Sequence, residues 1–134
     1  MGAYAASEGL IPGIVFCSTS ERTRQTIARF EEGLGRDLAV EYTEALYMAS
    51  AGTILEAIRR APEDAASVMI VAHNPGTHAA AQQFIKTAAP EDVENLDYNF
   101  PTAAFAEYRF DADAWADVDF GRGEMIRFIL PRRL

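Results

Sequence analysis

An α/β fold is predicted by three features of the sequence. Two short runs, Ile14-Val15-Phe16-Cys17 and Val68-Met69-Ile70-Val71-Ala72, are apolar without a break, as strands buried on both faces of a parallel sheet are. Each is followed by a segment with helical spacing, the alternation that builds parallel βα units. Near the C-terminus, strand-like runs at 103–110 and 124–130 flank a turn-rich connection, which predicts an antiparallel pair. The expected architecture is a three-layer α/β/α sandwich, with a mostly parallel sheet and one antiparallel edge strand.

At 134 residues the chain reads as a single domain, 1–134. Its formal charge of −8 argues against nucleic acid or an anionic membrane as the main partner. A small anionic ligand is still allowed, because a local pocket can be basic in an acidic protein. The single cysteine, Cys17, excludes an internal disulfide framework and points to a reducing compartment. No apolar run approaches the roughly 20 residues that span a bilayer. The first residues lack the basic and apolar regions of a signal peptide. The expected location is therefore cytoplasmic.

Residues 1–9 read as the end of a helix, rich in alanine and closed by Gly9. After the Pro12-Gly13 turn comes the strand 14–17. Ser18 and Glu21 have the spacing of a capping box, and Ser20 is a second candidate N-cap. The helix that follows runs to about residue 32, with Ile27, Phe30 and Leu34 on its core face, and Gly33 and Gly35 end it. Residues 38–42 read as a strand, and Glu44 to Tyr47 as a bend. A helix over 51–60 presents Ile54, Leu55 and Ile58 on one face, and Pro62 stops it. The strand 68–72 comes next, then a helix from Pro75 to about Thr87, then a short helix at 90–96.

The strand at 68–72 stops at His73, and Pro75 suits the first turn of a helix. His73 is thus placed at the carboxyl end of a buried strand, beside a helix N-terminus, where open α/β sheets bind ligands. Arg22 holds the matching place after the strand 14–17. A cation is disfavoured at a helix N-terminus, and a bound anion would explain it, since the guanidinium fork matches phosphate oxygens. A surface arginine paired with a carboxylate is the plainer alternative for Arg22 alone. Together, His73 and Arg22 make a plausible phosphate pocket.

Other candidates point elsewhere. His78 follows His73 by five residues, which is not the i,i+4 spacing of paired metal ligands. The acidic cluster Asp111, Asp113, Asp117 and Asp119 lacks the glycine and final glutamate of a calcium loop. No phosphate-loop or dinucleotide glycine motif is present. No metal and no cofactor are expected. Cys17 lies in the buried strand and reads as a core residue.

Cys17-Ser18-Thr19-Ser20-Glu21-Arg22-Thr23-Arg24-Gln25-Thr26 resembles the C-S-x-x-x-R-[TA]-x-Q-T segment of the histidine phosphatase superfamily, which has the phosphoglycerate mutase-like fold. Val71-Ala72-His73-Asn74-Pro75-Gly76 is similar to that superfamily's second histidine motif. The H-N-P form, and Pro101-Thr102-Ala103-Ala104 before a strand, resemble the small bacterial phosphohistidine phosphatases. The resemblance covers about residues 1–131. It implies that Arg22 grips the phosphoryl group and that His73 stabilises it during transfer. Asn74 becomes a neighbour in the phosphate-binding pocket, and Glu44 lies where some members keep a general acid.

The resemblance also implies an earlier strand ending in R-H-G or R-H-A, whose histidine is the nucleophile. Nothing corresponding stands in these residues, so the sequence reads as an N-terminally truncated member with impaired hydrolysis. Its unpaired sheet edges could pair with another copy, giving a homo-oligomer. Two functions follow. One is a hydrolase acting on a phosphorylated small molecule or phosphoprotein, including phosphohistidine. The alternative is a non-catalytic phosphate- or phosphoprotein-binding regulatory module. The missing R-H-G favours the second for the chain as it stands, and the intact second motif favours the first for its origin.

Overall fold

The computed structural model describes residues 1–134. Helix α1 (Gly2–Ser7) leads into strand β1 (Ile14–Ser18) and helix α2 (Glu21–Leu34). Strand β2 (Val40–Thr43), a 3₁₀ turn (Glu44–Leu46), helix α3 (Ala51–Arg59) and strand β3 (Val68–Val71) follow. Helix α4 (Gly76–Phe84), strand β4 (Ile85–Thr87) and helix α5 (Pro90–Tyr98) come next. The chain closes with strands β5 (Phe105–Phe110) and β6 (Gly123–Ile129).

The strands form two three-stranded sheets, β2-β1-β3 and β4-β6-β5. The first is entirely parallel. In the second, β4 runs parallel to β6 and β5 runs antiparallel to it. The expected α/β class and the antiparallel edge strand are therefore present, but the strands divide into two ladders. The central strand of the parallel sheet is β1, and β3 is an edge. This explains why β3 is mostly half-buried while Val15 to Ser18 of β1 are buried.

The alternation of side chains along β1 divides the core. Val15 and Cys17 face α1 and α2, where Ala5, Ile27, Phe30 and Leu34 cluster. Phe16 faces α3 and α4, packing with Leu46, Ile54, Leu55, Ala80 and Phe84. A third cluster joins Leu96 of α5 to Met125 and Phe128 of β6. Arg127 of β6 pairs with Glu8 at 2.9 Å and with Glu107 at 2.8 Å, and donates to the Tyr4 hydroxyl at 3.0 Å. One side chain thus ties the end of α1 to the second sheet.

Four expectations about element ends are corrected. Ser20 caps α2, accepting from the Thr23 N–H at 3.3 Å, and no Ser18–Glu21 capping box forms. Gly33 lies inside α2 rather than ending it. A Cβ there would come within 2.7 Å of the Ala3 nitrogen, so its absence lets α1 cross α2 in backbone contact. Gly35, at φ +80°, closes the helix. The helix expected to reach Thr87 stops at Phe84, because Ile85 and Thr87 join β6 as a parallel strand. Pro75 is the N-cap of α4, outside its first turn, and follows a cis peptide bond. No helix is long and apolar enough to cross a membrane.

Candidate functional site

The carboxyl ends of β1 and β3 are neighbours in one ladder, with Cys17 paired to Val71. The residues just beyond each end are thereby brought together. Ser18 is the last residue of β1 and is fully buried. Its hydroxyl lies 2.8 Å from His73 Nε2. A buried polar group needs a partner, and here the two satisfy each other across 55 residues of sequence. Thr23 of α2 donates its hydroxyl to the Ser18 carbonyl at 2.8 Å, fixing the strand end against the helix start. The Tyr47 ring meets the His73 ring edge-on, with centroids 5.4 Å apart.

Because Nε2 is tied to Ser18, Nδ1 is the His73 nitrogen without a protein partner. When the serine O–H donates to Nε2, the neutral ring carries its hydrogen on Nδ1. His73 can then donate a hydrogen bond to an anion without being charged. Ser18 and Tyr47 were not picked out as site residues from the sequence. Ser18 followed the apolar run and looked like a cap, and its real partner is too distant in the chain for any local pattern to show.

Arg22 and Arg24 both lie in the first turns of α2 but have different roles. Arg24 donates to the Thr19 carbonyl at 3.0 Å and stacks its guanidinium 4.1 Å over the Tyr42 ring. Arg22 is exposed, makes no ion pair, and lines the same cavity as His73, Asn74 and Thr102. The structure therefore removes the plainer reading of Arg22 as half of a surface salt bridge. A guanidinium without an ion pair and an imidazole donor that line one cavity, each just beyond the end of a parallel strand, are groups that suit a phosphoryl group.

Asn74 sits at this cavity, but its side chain is engaged. Its amide donates to the Phe100 carbonyl at 2.8 Å, and its oxygen accepts from the His78 N–H at 3.2 Å. It pins the 100–104 loop to the start of α4. His78 packs its ring nitrogen Nε2 on the Leu96 carbonyl, which makes it a structural residue joining α4 to α5. Glu44 is exposed in the 3₁₀ turn and does not line the cavity. Gly76 holds the end of β3 in place. A Cβ there would fall 1.8 Å from the Ala49 carbonyl oxygen, so only glycine lets α4 begin there.

No family model matches the chain. An uncharacterised protein of Mycobacterium tuberculosis is 35% identical over 120 residues, covering 88% of this chain and 73% of that protein. An uncharacterised protein of Mycobacterium leprae is 29% identical over 125 residues, covering 91% and 74% respectively. Among solved structures, one provisionally described as the phosphohistidine phosphatase SixA from Nakamurella multipartitia matches with a TM-score of 0.74 and 27% identity. That match covers 97% of this chain and 79% of the other. A structure from Agrobacterium tumefaciens with the same provisional description matches with a TM-score of 0.77 over 97% of this chain and 75% of its own. At 24% identity, it bears on the fold alone.

Proposed function

This chain belongs to the histidine phosphatase, phosphoglycerate mutase-like superfamily, and from that premise we propose that it binds and hydrolyses phosphate monoesters or phosphohistidine. The substrate class is a phosphorylated small molecule or phosphoprotein. The observation that carries this reading is the pairing of an uncommitted Arg22 with a Ser18-tethered His73 at one cavity. Arg22 presents two parallel N–H donors to phosphate oxygens. His73 Nδ1 supplies a further donor. Phosphoryl transfer is catalysed mainly by positioning and charge stabilisation, and donors held rigidly before reaction need no reorganisation. Ser18 and Tyr47 provide that rigidity for His73. Asn74 contributes indirectly, by pinning the 100–104 loop to the start of α4.

One observation favours the second reading, a phosphate-binding module without turnover. Residues 1–134 contain two histidines, and His78 is committed to the Leu96 carbonyl. Among these residues no second free imidazole is available to accept a phosphoryl group. The two readings separate on phosphate release from p-nitrophenyl phosphate and from a phosphohistidine peptide, measured for the parent and His73→Ala. Release by the parent, lost in the variant, supports hydrolysis. No release by either, with phosphate still bound by the parent, supports the binding module. No release and no phosphate binding would sink both.

A further inference from the structure

We propose that Tyr47 and Met48 form a platform beside the phosphate pocket that selects a phosphoryl group carried on an aromatic ring. It rests on the phosphate reading of His73 and Arg22, and it specifies what the phosphoryl group is attached to. Met48 lines the cavity shared by Arg22 and His73, and Tyr47 before it meets the His73 ring edge-on. Both side chains are large and mostly apolar, yet they are 59% and 60% exposed. Their neighbours on either side, Leu46 and Ala49, are buried. The Tyr47 N–H donates to the Glu44 carbonyl at 2.9 Å, closing the 3₁₀ turn before them. The pair is therefore held out by anchored backbone.

The backbone marks the same place. Only two non-glycine residues in the chain take the left-handed conformation, Met48 at φ +50° and Ala103 at φ +64°. Glycine adopts it freely, whereas a Cβ makes it costly. Both residues line the cavity of His73. Met48 belongs to the segment that meets His73, after β2 of the first sheet. Ala103 lies before β5 of the second sheet, in a turn closed by the Ala104 N–H on the Pro101 carbonyl at 3.1 Å. Asn74 pins that turn through the Phe100 carbonyl. The His73-Asn74 segment is thus gripped by two strained turns, and such strain gathers at ligand clamps.

The chemistry of the platform discriminates between leaving groups. A sugar or glycerol group laid on it would strip water from its hydroxyls, and the Met48 thioether offers only a weak acceptor in return. An aromatic ring gives up only apolar hydration, and a thioether sulfur makes favourable contacts with ring edges. Tyr47 adds a ring that pairs edge-on or offset with another. Tyr42, the third exposed aromatic or apolar side chain on this stretch, is already covered by the Arg24 guanidinium, 4.1 Å from its ring centroid. Burying one face of a phenyl ring on Tyr47 and Met48 is worth about tenfold in affinity.

The test titrates the full 134-residue chain by calorimetry with non-hydrolysable methyl-, phenyl- and cyclohexylphosphonate. The phosphonate is common to all three, so the methyl probe reports the phosphate pocket and the phenyl-to-methyl ratio reports the platform. The expected ratio in the parent is about tenfold, with the cyclohexyl probe, apolar but not flat, about threefold short of phenyl. Met48→Gly should bring the ratio below about threefold with methylphosphonate bound as before, and Met48→Leu should keep most of it. Glycine relieves the strain at φ +50°, which offsets its greater freedom in the unfolded chain, so Met48→Gly should keep a urea midpoint near the parent's. No binding of any probe would defeat the phosphate pocket and the platform together. Methylphosphonate binding with no gain for phenyl would overturn the platform alone. So would a gain that survives Met48→Gly, a cyclohexyl probe that matches phenyl, or a Met48→Gly that weakens the methyl and phenyl probes equally.

Discussion

β1 and β3 are built from nearly interchangeable sequence and meet different fates. Ile14-Val15-Phe16-Cys17 and Val68-Met69-Ile70-Val71 are both unbroken apolar runs. β1 is flanked by a strand on each side, and its residues from Val15 onward are buried. β3 has a strand on one side and a cavity on the other, and only Val71 is buried. An apolar run therefore reports the environment a strand is suited to. Whether both edges are filled is decided by chain far away. The site is built on this asymmetry: the closed strand supplies the rigid Ser18, and the open strand carries His73 to the mouth of the cavity.

The largest expected effect removes the anchor at the end of β3. Gly76→Ala drives a methyl into the Ala49 carbonyl, and the loss should be ~4 kcal/mol or more, at the extreme of single substitutions. Urea unfolding will show it as a collapse of the midpoint, or as failure to fold. A shift under 1 kcal/mol would mean that α4 does not start where the structure places it.

The next prediction compares the two strands directly. Phe16→Ala in β1 should cost ~3–5 kcal/mol, as for a buried aromatic, whereas Ile70→Ala in β3 should cost less than about 2 kcal/mol because its surroundings are already open. Equal losses in urea melts would show that β3 is packed as tightly as β1.

The smallest effect concerns reactivity on the closed strand. Burial pushes the Cys17 thiol above its ordinary pKa range, outweighing the hydrogen bond with Thr23 and the charge of Arg24, which lower it. The folded state thus favours the neutral thiol. The stability this lends is complete below the ordinary thiol pKa and declines as pH rises through that value toward the raised one. A thiol-reactive dye at pH 8 should label the native chain no faster than the chain unfolds. Rapid labelling without unfolding would show that β1 is not closed.

Much of this arrangement was legible in local pattern. The apolar runs located β1 and β3, and the spacing of Ile27, Phe30 and Leu34 gave the buried face of α2. His73 and Arg22 stood out because strand ends beside helix starts are recognisable in sequence. What escaped notice depended on contacts between distant residues. Ser18 was read as a cap because its partner lies 55 residues away. Ile85 to Thr87 looked helical until β6 offered them a ladder. Asn74 was expected only as a neighbour in the phosphate-binding pocket, and its amide is taken by the Phe100 carbonyl, 26 residues away. The division into two sheets leaves no local mark at all, because edge pairing is a property of the assembled fold.

The phosphate pocket itself has a built-in control, since the chain has two histidines in different circumstances. His73 is tethered at the cavity and His78 is locked on Leu96. The decisive measurement follows both imidazoles by NMR while inorganic phosphate is titrated into the parent and into Arg22→Ala. The account predicts a saturable shift of the His73 resonances, little movement of His78, and at least a tenfold weaker response in the variant, the ~1.4 kcal/mol or more expected for losing charge-assisted hydrogen bonds. A His73 that does not respond, or that responds equally with and without Arg22, would contradict it.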